Sequence, residues 1–396
     1  MSTNRVYLLG AGFSMAISDH GTVRDENKMP SMQDLSDAVR SFLKPGLQAE
    51  RMPATVIENL KRLAQVAKSD KKYHQVIADV FESLPDIAAW ERLPGLGTPL
   101  VKNFEQWLSY LIEAPPWLSP AEQARNRAAF LEVSRTVYSI LDSRQRSTLF
   151  DQEGNCPDWL ARLVNQWDRD SANVITFNYD QFVELAWMLH GTQTLKRARS
   201  WDLYPAPITP LTARVGYSPP VYCTPGGFTL HKMHGSLGWW YSGPDSPPGD
   251  TVYDQGIRGD QWYIDGVFPP DEMSVSLFAD REPLIVPPAA VKSPYYSNSI
   301  LKATWRAAAD ALKFADELVI MGFSLPATDM IVSSMLCTTL KDSCIITPVD
   351  YRDDIIERVC KTFDMQADDE RLNSNYVNLR ENAIPNWVND HIETVS

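Results

Sequence analysis

Val6-Tyr7-Leu8-Leu9-Gly10-Ala11-Gly12-Phe13-Ser14 is the stretch that decides how the chain is read. Four apolar residues in a row are too few for a helix, so Val6 to Leu9 reads as a buried strand that ends on two glycines. A glycine turn after a buried strand is where an α/β protein brings its backbone close to a pyrophosphate. The amides beyond the glycines then donate to the phosphate oxygens. Ser14 supplies a hydroxyl donor at the same place. The full G-x-G-x-x-G spacing is absent, because Ala16 and Ile17 stand where the last glycine would fall. Taken alone, the segment reads equally well as a tight strand–helix turn without a ligand.

Further along the chain, short apolar strands alternate with helices. Asn173-Val174-Ile175-Thr176 predicts a second buried strand, followed by the Asn178-Tyr179-Asp180 turn and a helix over Phe182 to Leu189. Leu230 to Met233, Leu284 to Val286, Glu317 to Met321 and Cys344 to Val349 read as further strands, the last closing the sheet. Helices are predicted over Trp159 to Trp167, Ile300 to Phe314 and Met330 to Leu340. Such alternation predicts an α/β, Rossmann-like parallel sheet with helices on both faces.

Two regions depart from that pattern. From Pro53 to Leu149 apolar residues recur at helical spacing, as in Val56-Ile57-Leu60-Leu63-Val66 and Phe104-Trp107-Leu108-Leu111. This predicts a helical module inserted over about residues 45–165 of a domain spanning residues 1–350. From Trp201 to Pro288 the chain is rich in Pro, Gly, Tyr and Trp, which predicts an irregular β-and-loop layer over about residues 195–290. Trp239-Trp240-Tyr241 reads as packing for that layer. Residues 351–396 read as a tail packed on the domain.

Composition narrows the function. The chain has 396 residues, 44% hydrophobic and 22% charged, with a formal net charge of −13. A surface so acidic repels phosphate backbones and argues against direct nucleic-acid binding. The five cysteines, Cys156, Cys223, Cys337, Cys344 and Cys360, include no C-x-x-C pair, so neither a zinc tetrathiolate nor a disulfide framework is expected. No stretch is apolar for long enough to span a membrane, and Met1 to Arg5 runs into a strand rather than a signal core. The expectation is a cytoplasmic protein.

The candidate chemistry sits at strand ends. Asn178 is suited to bonding ribose hydroxyls or fixing a water, and Asp180 to holding Asn178 or capping the next helix. His234, in the turn after a predicted strand, is the candidate base, whereas His231 reads as structural. Gly322 and Ser324 form a second glycine–serine turn, with Asp329 as the N-cap of the following helix, and Asp350 ends the last predicted strand.

Together, the segments Leu8–Ser14, Thr176–Asp180, Leu230–Ser236 and Met321–Pro326, in this order, resemble the sirtuin-like family, and within it the bacterial NAD-consuming branch. The resemblance runs from about Tyr7 to Asp350. It implies NAD+ as substrate, cleaved to nicotinamide and ADP-ribose, with Asn178 beside the nicotinamide ribose, His234 as base and Asp180 in support. It implies Gly10, Ala11, Gly12, Ser14, Thr176, Gly235, Ser236, Gly322 and Ser324 around the dinucleotide, and Asp350 at the adenosine. Glu105 resembles an acidic position in the helical module of that branch. Cyclisation of NAD+ or transfer of its ADP-ribose is equally compatible with these residues. The zinc cysteine pairs and the Pro-Asp-Phe-Arg type segment of deacylating sirtuins are missing, which disfavours an NAD-dependent protein deacylase and any bound metal. A non-catalytic NAD- or ADP-ribose-binding subunit and a purely structural subunit are the other readings.

An NAD-depleting enzyme needs restraint. The bacterial branch commonly acts in anti-phage defence, and some short members work with a HerA-type ring ATPase. The resemblance therefore implies control by such a partner or by a homo-oligomer. Trp90, Trp107 and Trp117 in the helical module are candidate interface residues, with burial in the module's own core as the competing reading.

Overall fold

Five parallel pairings run through β1 and its neighbours, and they account for the buried apolar runs read from the sequence. The computed structural model describes residues 3–18, 28–31, 33–39, 41, 58, 62, 103–113, 115–149, 156–190, 200–215, 227–243, 246–256, 280–289, 292, 295–326, 329–377 and 383–392. Trp90 and the Val56–Val66 segment lie outside the described residues. In chain order the elements begin β1 (Arg5–Leu9), α1 (Ala11–Ser18), α2 (Phe104–Ile112), α3 (Pro120–Leu149), α4 (Asp158–Asp170), β2 (Asn173–Thr176) and α5 (Phe182–His190). The short strands β3 (Thr209–Pro210), β4 (Thr229–Lys232), β5 (Gly235–Tyr241), β6 (Tyr253–Asp254) and β7 (Glu282–Ile285) follow. The chain continues through α6 (Ser299–Lys313), β8 (Glu317–Met321), α7 (Met330–Thr339) and β9 (Ile345–Asp350). The last elements are α8 (Asp354–Phe363), β10 (Tyr376–Val377) and α9 (Ala383–His391).

The main sheet has six strands in the order β10-β9-β8-β1-β2-β4, all paired in parallel. Counted along the chain, that is the doubly wound Rossmann order, with β1 at the centre and the direction of winding reversed between β1 and β8. Side chains alternate across β1. Val6 and Leu8 face a cluster with Leu312 of α6, Leu336 of α7 and Val359 of α8. Tyr7, pointing the other way, packs its ring on Trp167 of α4 and Trp387 of α9. Phe13 of α1 meets Trp159 and Trp167 on the same side. Helices thus cover both faces, and for this reason β1 and β8 show apolar runs rather than alternation. The chain has a Rossmann-like α/β fold.

Two expectations about the sheet are corrected. It does not close at Cys344–Val349, because β10 pairs beyond β9 through Tyr376↔Val349 and Val377↔Asp350. A two-residue strand with half-buried side chains leaves no apolar run to read. The stretch after residue 350, read as a tail packed on the domain, supplies a strand and two helices. The irregular layer is a second sheet, ordered β3-β6-β5-β7. Its main strand starts at Gly235, ahead of the Trp239-Trp240-Tyr241 run, and pairs antiparallel with β7. Trp239 and Tyr241 are buried in it, as expected of packing residues.

The chain divides into two units, one of Met1–Ser31, Leu141–Ile285 and Tyr295–Ser396, the other of Met32–Ile140 and Val286–Pro294. In the second unit, α2 starts where the Asn103 side chain accepts the Gln106 amide. Ser119 and Glu122 form a reciprocal capping box before α3, with Glu122 accepting the Ser119 amide at 2.8 Å and Ser119 the Glu122 amide at 3.4 Å. Trp107 is fully buried there, so it is core and not interface, whereas Trp117 is 75% exposed. Glu105 sits in the first turn of α2, half-buried.

Candidate functional site

Parallel register brings the predicted residues to one edge. Leu9 is level with Thr176 and Met321, Thr176 with Lys232, and Met321 with Val349. The next residues, Gly10, Phe177, Met233, Gly322 and Asp350, therefore end their strands in a single row. Adjacent strands lie about 4.8 Å apart, so the row from β4 to β9 spans about 19 Å. Its middle is the switch point between β1 and β8, where doubly wound sheets open a crevice.

The glycines in that row have a structural task that the sequence does not reveal. The two glycine turns lie backbone to backbone: the Gly12 amide donates to the Gly322 carbonyl at 2.9 Å and the Gly10 amide to the Met321 carbonyl at 3.1 Å. A Cβ on Gly10 would stand 2.5 Å from Phe323 Cα, and one on Gly12 2.8 Å from Gly322 Cα. Gly322 has φ +61°, and a Cβ there would meet the Phe13 nitrogen at 2.4 Å. The Phe13 amide is also engaged, donating to the Gly10 carbonyl at 2.9 Å. The expectation that amides beyond Gly10 and Gly12 face a phosphate is thus corrected for Gly12 and Phe13. Ala11, at the first position of α1, is exposed.

Ser14 is likewise engaged within the protein. It is buried, and its hydroxyl donates to Asp180 Oδ2 at 2.5 Å instead of pointing at a ligand. Asn178 Nδ2 donates to that same Ser14 oxygen at 2.9 Å and to the Gly10 carbonyl at 2.7 Å. Thr176 Oγ1 accepts the Asn178 amide at 3.1 Å. Both amide protons of the Asn178 side chain are thereby committed, which fixes its orientation. Its Oδ1 accepts no hydrogen bond from the described residues, and the residue is half-buried. Thr176, Gly10 and Ser14 thus serve to aim one carboxamide oxygen.

Asp180 closes this net from below. Its Oδ1 accepts the amide of Phe182, the first residue of α5, at 3.4 Å. Burial raises its carboxyl above the usual carboxylate range, opposed by the Lys232 charge and the Ser14 hydrogen bond. Lys232, itself buried, donates to the Asp180 carbonyl and to Glu184 Oε1, the latter at 2.9 Å. Tyr204 donates to the same Glu184 oxygen at 3.0 Å, and burial together with that carboxylate pushes its hydroxyl well above the ordinary range. Asp180 is thus a structural junction beneath Asn178. Lys232 and Glu184 escaped the sequence reading, although a lone lysine in Leu230–Met233 and a lone glutamate in Phe182–Leu189 are visible signs of a buried pair.

His234 lies in the turn that carries the chain from β4 into β5, buried, with its ring 5.0 Å from Phe177 and 6.5 Å from Tyr179. The residues on either side of Asn178 therefore both hold rings against His234. Asp329 Oδ2 is 4.0 Å from its Nε2. Gly235 takes φ +81° because β7 passes behind it; a Cβ would stand 1.9 Å from the Leu284 carbonyl oxygen. Ser236 is fully buried and donates to the Tyr179 carbonyl at 3.5 Å, accepting the Gly238 amide at 3.4 Å. Both therefore hold the turn. His231 bonds elsewhere, 3.0 Å from Asn173 Oδ1, and burial lowers its pKa to about 4, as fits a structural histidine.

At the far end of the row, Asp350 is buried and accepts the Arg352 amide at 3.0 Å. Burial raises its carboxyl, and the Arg352 amide and charge oppose that. Ser324 is half-buried, and its carbonyl accepts from Arg358 at 3.1 Å. No group of three or more His, Cys, Asp or Glu suited to a metal occurs among the described residues. Among them, no helix is long and apolar enough to cross a membrane.

Fold and site together define a doubly wound α/β protein whose polar residues gather at its switch point. Neither models of known protein families nor functionally characterised proteins give a match to the chain.

Proposed function

We propose that the chain binds NAD+ along the strand-end row and hydrolyses it to nicotinamide and ADP-ribose. The observation that carries this reading is the Asn178 carboxamide, locked by Gly10 and Ser14, with its oxygen unengaged among the described residues, while the rings of its chain neighbours Phe177 and Tyr179 pack on His234. An oxygen so fixed is suited to hold a ribose hydroxyl or an attacking water with little loss of freedom at reaction. The C1′–N bond breaks with its electron pair going to nicotinamide, which leaves neutral. A water oxygen bonds to C1′ of the oxocarbenium-like ribose, and its proton goes to His234. The adenosine end lies toward Ser324 and Asp350, whose carboxylate is suited to accept from ribose hydroxyls. Ala11 and the exposed rim of the glycine turns approach the pyrophosphate. Control by a homo-oligomer or a HerA-type ATPase, in anti-phage defence, belongs to the same proposal.

Nicotinamide release by the purified chain, alone and with a candidate partner, is the test. His234→Ala and Asn178→Ala are expected to lose about 100-fold or more. Either variant turning over at the wild-type rate refutes the assignment, and NAD+ binding without turnover under all conditions replaces it with a binding module.

A further inference from the structure

The helix-cap reading of Asp329 does not describe where its carboxylate lies. Asp329 stands at the N-cap position of α7, yet its side chain makes no capping hydrogen bond. The carboxylate is instead buried, with Oδ2 4.0 Å from Nε2 of an equally buried His234. Caps of surface helices point at their own helix amides, where they satisfy donors that would otherwise go unpaired. Burying a carboxylate away from those donors is costly unless a positive partner faces it. The ring of His234, when protonated, is such a partner.

A tyrosine lies within electrostatic reach of the same carboxylate. Tyr296, just before α6, has a buried hydroxyl without a hydrogen-bond partner among the described residues. Burial first, and then the charge of Asp329, push that hydroxyl well above its ordinary range. Tyr296 stacks edge-on against Trp305 at 5.1 Å, and Trp305 against Phe177 at 6.3 Å, the ring that also borders His234. Aromatic rings thus border the His234 side of the pair and lower the local dielectric, which strengthens a charge interaction across 4.0 Å.

We infer that Asp329 is a positioning residue of the site: it holds the imidazolium that His234 becomes on taking up a proton. The inference rests on the proposed hydrolysis for its catalytic meaning, but the charge pair is measurable without turnover. Among the described residues, the titratable groups shown facing the ring include Asp329 ahead of α7 and Tyr179 after β2. Lys232, on the strand leading into the turn, is engaged with Asp180 and Glu184.

Asp329→Asn separates the two roles, because asparagine caps a helix as well as aspartate does and removes only the charge. The readout is the NMR titration of the His234 ring in the full chain, its signal identified by loss in His234→Gln. The midpoint is expected to fall by about one pH unit in Asp329→Asn, the lower end of what a carboxylate at this range contributes. Asp329→Glu is expected to restore most of it. An unchanged midpoint overturns the inference, whatever the enzyme assay gives. Should Asp329→Asn fail to fold, Asp329→Ser, also a good cap, gives the same comparison. If nicotinamide release is measurable, the acidic limb of its pH profile moves to lower pH in Asp329→Asn. Absence of release in the wild-type chain overturns the hydrolase reading, while the NMR midpoint still decides the charge pair.

Discussion

Gly322→Ala tests the claim that the glycine turns exist to pack on each other. Two costs add at this position. The backbone sits at φ +61°, where an L side chain costs about 1–2 kcal/mol. The new Cβ would also lie 2.4 Å from the Phe13 nitrogen and 2.5 Å from the Gly12 carbonyl carbon. Those are main-chain atoms of β1's turn, held by the 2.9 Å bond from the Gly12 amide, so they cannot rotate away. Relieving such a contact costs about 1–3 kcal/mol, by analogy with overpacked cores. The expected loss is about 2–5 kcal/mol, a large part of a typical domain's total stability. Urea denaturation followed by circular dichroism measures it as a shift in midpoint at constant slope. Gly10→Ala, which clashes with Phe323 without a left-handed φ, should lose less. Gly249→Ala, with nothing within 4 Å of its Cβ, should be neutral. Equal midpoints for Gly322→Ala and Gly249→Ala would refute the packing account.

Three further outcomes are expected. Lys232→Met leaves the buried Glu184 carboxylate without its cation and should destabilise by about 3–5 kcal/mol in the same assay; a neutral result would remove the pair from the site's foundation. His231, whose folded pKa is lowered to about 4 from 6.5, contributes stability that is complete above pH 6.5 and is lost as pH falls toward 4, in total about 3 kcal/mol at about 1.4 kcal/mol per pH unit. Asp180 and Asp350, raised by burial, act in the opposite sense in acid, so the check is the stability difference between wild type and His231→Leu, which should shift against wild type by about 3 kcal/mol as pH falls from 6.5 to 4. Asp180→Ala strands the Ser14 hydroxyl and the Phe182 amide and should lower stability by about 1–3 kcal/mol, whereas Asp180→Asn, which keeps an acceptor, should lose less by thermal unfolding.

What the sequence determined by itself was the scaffold and where its edge lies. Buried parallel strands need apolar side chains on both faces, so Val6–Leu9, Asn173–Thr176 and Glu317–Met321 were legible with boundaries at or near their observed limits. Turns after such strands must fall on one edge of the sheet, which placed Gly10, Asn178, His234 and Gly322 in the same neighbourhood before any coordinates. A strand as short as Tyr376–Val377 carries no pattern, and the sixth strand was missed for that reason.

The tertiary structure alone decided what each residue does at that edge. Residue type gives chemical capacity, but direction and partner depend on which backbone passes nearby. Gly12 and Gly322 are glycines because two turns touch, Gly235 because β7 runs behind it, and Ser14 bonds Asp180 across 166 positions of sequence. Asp329 reads as a helix cap in one dimension and faces His234 in three. Contacts between distant segments have no local signature. Only folding sorted the residues that build the site from those left with an atom open toward its crevice.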